Sequence, residues 1–312
     1  MKKGTLPLVA ILFAVIILSG TVFISASPGT SEPYEAYDKQ DAATAAVALG
    51  LFGGAGNPEW MNSLDKVIPP EERERLMSAD PSELTTAHRL VRDFLIRLSS
   101  DGQISNSDWS FSDVDMTAYE SFVEDFVENE RKRIFSQREL FDREKLNIKV
   151  NATKKEVKDY GNTVGEIIAR NSFESDHEIH IFKRLTETGA RSDELDLLKI
   201  SAGYKKIAKE ASLVVVPVDA VDIHLDFINN MKRVGTYIEK MARVTEDPVM
   251  AMISFNEYFD MTGLSLETMK RVAEYFDQKE IFYEKHESGY AYTIIKHLDL
   301  EKEFDEFMEK IQ

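Results

Sequence analysis

Apolar side chains between Pro217 and Ala242 recur at three- and four-residue steps, which is the period of an α-helix. One apolar stripe consists of Val221, Leu225, Ile228, Met231, Gly235, Ile238 and Ala242. A second stripe lies beside it at Ile223, Phe227, Val234 and Tyr237. A helix that is apolar over about half of its circumference packs against at least two neighbours. We therefore predict that this segment is the central helix of a bundle.

A long helix is predicted on each side of the central one. The preceding helix keeps the same spacing at Leu197, Ile200, Tyr204, Ile207, Ala211 and Val214. The following helix keeps it through Gly263, at Met252, Phe255, Phe259, Thr262, Leu266, Met269, Ala273 and Phe276. Asp219 is expected to cap the central helix and Asp247 the following one, where Pro248 takes the first helical position. Short connections favour antiparallel neighbours, which predicts an up-down-up bundle.

Shorter elements are predicted around this bundle. Thr153 and Glu156 form a capping box, which marks the start of a helix. Residues Ile281 to Tyr292 alternate weakly between apolar and polar side chains, and we expect a small hairpin there. The acidic tail from Leu298 is expected to form a short amphipathic helix.

The N-terminal segment has the pattern of a membrane anchor. Leu6 to Ile24 is nearly all apolar, and Lys2 and Lys3 precede it. An apolar run of about nineteen residues is long enough to span a bilayer, and the lysines should stay on the inner side. We therefore predict a single-pass plasma-membrane protein whose body is extracytoplasmic. A cleaved signal peptide, which would make the protein secreted, stays open, although Pro28 disfavours a cut directly before it.

These patterns predict an all-α fold, in which an N-terminal transmembrane helix is followed by an antiparallel helical bundle. Three segments are expected: an anchor or signal peptide at 1–28, a linker with short helices at 29–79, and an extracytoplasmic helical domain at 80–312. Within the domain we expect a first helical half at 80–190, the long-helix bundle at 191–280 and a C-terminal tail at 281–312.

Charge and cysteine content exclude several classes of function. The chain carries 55 acidic against 38 basic residues, a net charge of −17, and it contains no cysteine. An acidic body without a basic patch argues against nucleic acid as a partner. The absence of cysteine excludes disulfides, thiol catalysis and zinc–thiolate sites.

His177 and His180 belong to the densest metal-like cluster of the sequence. A zinc-protease motif needs two residues between its glutamate and its second histidine, and only one separates Glu178 from His180. Glu174 and His177 match half of a di-iron motif, but a second half is missing from the sequence. We therefore expect a solvated first helical turn and no bound metal.

Asp101 lies in a segment that resembles the second half of a calcium loop. Arg97 takes the first ligand position of that loop, where a carboxylate is needed. We therefore expect an ordinary Asp-Gly turn at Asp101 and Gly102.

His224, Asn229 and Asn230 lie on or near the apolar faces of the central helix. They form either a buried polar site or hydrogen-bonded core positions that fix the register of the helices. We expect the second, because buried polar groups are normally paired within the fold.

Short motifs distributed from the first predicted helix to the last long helix resemble those of a known family. They are Leu84-Thr85, Phe94, Ser100-Asp101-Gly102, Leu146-Asn147-Ile148, Tyr160-Gly161-Asn162, Val216-Pro217, His224, Asn229-Asn230, Asp247-Pro248, Tyr258 and Tyr275-Phe276. The chain after Asp80 resembles uncharacterised membrane-anchored helical proteins of small-genome bacteria, often encoded near pilus or secretion-type genes. The resemblance implies an anchored helical body outside the membrane and implies no activity. Gly263 and Ser265 depart from the uninterrupted alanine-rich helix that the family would have.

Two functional hypotheses follow. The first is a membrane-anchored extracytoplasmic protein without evident catalysis or cofactor. It would be a structural or protein-interaction component of the cell envelope, or of a surface or secretion assembly, with other envelope proteins as partners. The alternative is an extracytoplasmic ligand-binding or hydrolytic protein that uses a cleft with His177, His180 and His224. We favour the first, because the sequence carries no catalytic motif of known spacing.

Overall fold

The protein was analysed as a computed structural model, which describes residues 70–102, 116–134, 140–172 and 176–295. Most of these residues are helical, in agreement with the predicted all-α class. The helices are α1 (Pro70–Ser78), α2 (Thr86–Ser100), α3 (Met116–Ile134), α4 (Lys154–Asn171), α5 (Glu178–Thr188), α6 (Arg191–Ala211), α7 (Val221–Met241), α8 (Pro248–Gln278) and α9 (Tyr290–Ile295). Two short strands, β1 (Asn147–Lys149) and β2 (Val215–Pro217), pair in parallel, with Ile148 opposite Val216.

The described residues form two compact units. The larger unit comprises 140–172, 176–242 and 254–295, and the smaller unit comprises 70–102, 116–134 and 243–253. The larger unit therefore includes residues on both sides of residue 190, where the sequence analysis placed the end of the first helical half. The predicted domain boundaries stay a prediction. The predicted anchor at 1–28 and most of the predicted linker lie outside the described residues. None of the helices that the structure describes is both long enough and apolar enough to cross a membrane.

Helices α6 and α7 run antiparallel in the larger unit, as predicted. The Ser201 hydroxyl donates to the carbonyl oxygen of Gly235 at 2.6 Å. Further along, the His224 ring contacts the carbonyl oxygen of Ala211 at 3.1 Å, so residue numbers rise along one helix as they fall along the other. Gly235 lets the two backbones approach closely, because a Cβ at this position would lie 2.9 Å from the Ser201 carbonyl oxygen.

Helices α7 and α8 are also antiparallel within the larger unit. The Asn230 side chain donates to the Thr268 hydroxyl at 3.0 Å. Arg271 donates to Asp226 at 2.8 Å, one turn further along. Helix α8 continues through Gly263, as the sequence predicted. The predicted up-down-up arrangement of the three long helices is therefore confirmed, and Ile228 on the central helix is completely buried.

The two predicted helix caps have different outcomes. Asp247 caps α8, because its carboxylate accepts from the Met250 N–H at 3.1 Å. Its second oxygen accepts from the N–H of Thr86, at the start of α2, at 2.9 Å. The prediction for Asp219 is wrong. Asp219 lies in a 3₁₀ turn that precedes α7, and no side chain caps that helix. The Asp219 carboxylate accepts instead from the Tyr275 hydroxyl of α8 at 2.9 Å.

The C-terminal segment from Ile281 is not the expected hairpin. It runs without a paired strand into α9 and lies on α4. Tyr283 is buried against Gly161, where an added Cβ would lie 2.0 Å from the tyrosine hydroxyl. The N–H of Gly289 donates to the Asn162 side chain at 2.9 Å. The alternation in the sequence is real, since Phe282 is 73% exposed between two buried neighbours, but helices rather than a second strand bury them.

Candidate polar site at the start of helix α5

His177 is the residue that caps α5. Its ring nitrogen Nδ1 accepts a hydrogen bond from the backbone N–H of Ile179 at 3.3 Å. A neutral imidazole has one acceptor and one donor nitrogen, so the proton of a neutral His177 is on Nε2. His180 is exposed, and its ring centroid lies 6.1 Å from that of His177. The two histidines are therefore neighbours, but the helix uses His177 for capping.

Glu178 carries a buried carboxyl group beside this cap. It is 5% exposed, so the expected solvated turn is wrong at this residue. One carboxyl oxygen accepts from the Tyr204 hydroxyl of α6 at 3.2 Å, and the other lies 3.6 Å from Nε2 of His177. Tyr258 of α8 is fully buried, its hydroxyl has no hydrogen-bond partner among the described residues, and the Glu178 carboxyl contributes to the raised pKa of this hydroxyl. We call His177, Glu178, Tyr204 and Tyr258 the Glu178 cluster.

Electrostatics keep most members of the Glu178 cluster in their neutral form. Burial raises the pKa of the Tyr204 and Tyr258 hydroxyls well above their ordinary value, and the nearby Glu178 raises it further. Burial lowers the pKa of His177, with Glu178 opposing the shift and His180 adding to it. At neutral pH the two phenols are therefore protonated, the Tyr204 hydroxyl donates to Glu178, and the imidazole of His177 is uncharged. The cluster can take up a proton when the pH falls.

The expectation of no bound metal stays a prediction. Within the part of the chain that the structure describes, no group of three or more histidine, aspartate or glutamate side chains is placed to share an ion. Asp101 follows the last residue of α2 and is followed by Gly102, whose φ of 70° suits a turn. The carboxylate is 3.9 Å from Arg97, which occupies the position that a calcium loop would give to a ligand.

His224 is a core residue rather than part of the Glu178 cluster. Its Nε2 is 3.1 Å from the carbonyl oxygen of Ala211, so this nitrogen carries the proton. Its Nδ1 then accepts from the Tyr160 hydroxyl at 3.0 Å. Burial lowers the pKa of His224 to about 4, although the Ala211 carbonyl opposes the shift. Both ring nitrogens are thus used to join α6, α7 and α4.

The two asparagines of α7 also have structural partners. Asn229 accepts from the backbone N–H of Phe141 at 2.8 Å and donates to its carbonyl oxygen at 3.1 Å. Asn230 donates to Thr268 inside the core. The expectation of hydrogen-bonded core positions is confirmed for Asn230 and His224, whereas half-buried Asn229 holds a neighbouring segment of the chain.

An exposed apolar surface lies beside the two strands. Its members are Val150 (64% exposed), Leu213 (68%), Val215 (56%) and Val218 (41%). Val150 directly follows β1 and Val218 directly follows β2, and the last residues of these strands, Lys149 and Pro217, pair with each other. We call these four residues the apolar ribbon. Among the three consecutive valines from Val214 to Val216, only Val216 is buried.

Comparisons with family models, with curated proteins and with solved structures found no match to this chain.

Proposed function

We propose that this chain is a membrane-tethered helical protein whose extracytoplasmic body binds another protein of the envelope, or of a surface or secretion assembly. The observation that carries the proposal is the apolar ribbon. Single exposed apolar residues are common on protein surfaces, but contiguous apolar patches mark sites of interaction. Four such side chains lie in or directly beside the paired strands β1 and β2, in a chain with a net charge of −17.

The strands beside the ribbon add a second kind of contact. Among the described residues the sheet contains only β1 and β2, so each strand has one edge that is not paired within the sheet. An unpaired edge offers backbone N–H and C=O groups to an extended segment of a partner. The ribbon would supply apolar contacts and the edge would supply hydrogen bonds to the same partner.

The tether rests on the sequence alone. Lys2 and Lys3 before the apolar run from Leu6 to Ile24 favour an anchor whose following chain is extracytoplasmic. The family resemblance agrees with this arrangement. Protease added to cells with a permeabilised outer layer should digest the body, and full protection of the body would contradict the proposed topology.

The alternative is a ligand-binding or hydrolytic protein. The observation that favours it is His177, whose pKa is lowered by burial and which lies 3.6 Å from the buried Glu178 carboxyl, since perturbed titratable groups cluster at functional sites. However, His177 caps a helix and both nitrogens of His224 are used within the core. A ligand that shifts the NMR signals of the Glu178 cluster at micromolar concentration would favour this alternative.

Site-specific crosslinking tests the proposed function. A photoreactive amino acid is placed at Leu213 or Val215, and at Leu195 as the matched control, because Leu195 is 51% exposed on α6 outside the ribbon. Illumination of native cells should give one discrete protein adduct from the two ribbon positions and none from the control. Equal adducts from all three positions, or none from the ribbon, would overturn the proposal.

A further inference from the structure

We propose that the start of α5 is a pH-sensitive latch, in which neutral His177 caps the helix and protonated His177 releases it. The inference concerns the Glu178 cluster and does not depend on the proposed function. Helix caps are usually serine, threonine, aspartate or asparagine, whose side chains do not titrate near neutral pH. A histidine cap differs because its charge changes between about pH 5 and pH 8 when its environment permits.

The hydrogen bond at the cap requires the neutral ring. Nδ1 of His177 accepts from the Ile179 N–H at 3.3 Å, and it needs a free lone pair to do so. Protonation places a hydrogen on Nδ1, so that two donors face each other and the cap is lost. The new positive charge also lies at the positive end of the α5 dipole, which is unfavourable.

Glu178 gives the protonated ring an alternative partner. Its carboxyl oxygen lies 3.6 Å from Nε2 of His177, beyond a good hydrogen bond but within reach of a small rotation of the ring. A charged imidazole is attracted to this carboxylate, whereas a neutral one is held by the Ile179 N–H. Protonation of His177 should therefore weaken its contact with the Ile179 N–H and strengthen its contact with Glu178.

The other groups around the cluster set the direction of the response. Tyr204 from α6 and Tyr258 from α8 face Glu178 as neutral phenols. His180, on the same helix, lowers the pKa of His177. Asp176 precedes the cap, but it is 64% exposed and pairs with Arg184 at 2.7 Å. Burial lowers the pKa of His177, so the latch should open at a pH below 6.5, the ordinary pKa of histidine.

Hydrogen exchange of the full-length protein tests the latch. Exchange of peptides from α5 and α7 is measured by mass spectrometry at about pH 7.5 and about pH 5, after correction for the intrinsic effect of pH. The ratio of α5 to α7 protection in the wild type is divided by the same ratio in His177→Asn, so that changes common to both proteins, including the titration of His224 in α7, cancel. Loss of a cap predicts that this ratio falls by about fivefold or more in the wild type at the lower pH.

Three variants make the result specific. His177→Asn keeps a capping side chain that does not titrate, so the ratio should stay high at both pH values. His177→Ala removes the cap, so the ratio should be low at both. His180→Asn is the matched control and should behave as the wild type. An unchanged ratio in the wild type, or the same fall in His177→Asn, would overturn the proposal.

Discussion

Replacing Ile228 by alanine tests the packing of the central helix. Ile228 has no exposed surface and belongs to the core between α6, α7 and α8. The change removes three carbon atoms, each worth about 0.8 kcal/mol of transfer free energy, or about 2.4 kcal/mol in total. The cavity left in a close-packed core adds to this loss, and the expected decrease in the free energy of unfolding is about 3–4 kcal/mol.

A graded series strengthens this prediction. Ile228→Val removes one carbon and should decrease the free energy of unfolding by about 1 kcal/mol. Lys206→Ala is the control, because this α6 side chain is 59% exposed and its contact with Glu210 is long, at 3.9 Å. Exposed ion pairs of this kind contribute little, so the control should change stability by less than about 0.5 kcal/mol.

Urea unfolding of the full-length protein, followed by circular dichroism, measures these free energies. The slope of free energy against urea should not change, so that the midpoints report stability directly. The losses should rank alanine above valine above the control. An Ile228→Ala variant that unfolds with the wild type would refute the assignment of α7 as the central helix of the bundle.

Three further outcomes are expected. Gly235→Ala should decrease the free energy of unfolding in urea by about 1–3 kcal/mol, because the added Cβ would lie 2.9 Å from the carbonyl oxygen of Ser201. An increase in stability, as the higher helix propensity of alanine alone would give, would contradict this close approach of the two helices. Stability should fall as the pH drops from about 6.5 towards 4, since the folded pKa of His224 is about 4 against an ordinary 6.5 and the unfolded chain takes up the proton first. The contribution of His224 over that range should be about 2–3 kcal/mol, and His224→Gln should reduce the loss by that amount; an equal loss in that variant would assign it to other groups. Asn229→Ala should make the chain near Phe141 more sensitive to limited proteolysis, because the N–H and C=O of Phe141 lose their hydrogen bonds to Asn229 at 2.8 and 3.1 Å. Unchanged cleavage would show that these two hydrogen bonds are not needed to hold this segment.

The bundle was predictable because its signal is local. The stripes of α7 and α8 keep their spacing over many turns, so the face that contains Ile228 and Phe276 could be recognised as buried. Asp247 could be assigned as a cap because a proline follows it directly. The predicted cap at Asp219 was wrong, because the hydrogen bonding of this residue depends on a 3₁₀ turn and on Tyr275, which is distant in sequence.

The Glu178 cluster could not be predicted from local patterns. Glu178 follows a polar segment, and its burial depends on Tyr204 and Tyr258, which come from two other helices. Tyr204 lies in the apolar stripe of its helix and was interpreted as core, whereas Tyr258 lies outside the stripe predicted for its helix. A buried tyrosine hydroxyl usually needs a polar partner, and this requirement was the signal in the sequence that could have predicted a buried polar group near these tyrosines. The exposure of the apolar ribbon was missed for a similar reason, because a valine run does not show which of its side chains the helices cover.

The size of the complex that contains the protein in native membranes tests the central claim most directly. Membranes are extracted with mild detergent, and the wild type is compared with Leu213→Asp/Val215→Asp and with the control Leu195→Asp. We predict that the wild type and the control migrate together with a partner, whereas the ribbon variant migrates as a smaller species. Each variant should retain the wild-type circular dichroism spectrum, which shows that the bundle is folded. Identical migration of all three folded proteins would contradict the assignment of the apolar ribbon as the binding surface.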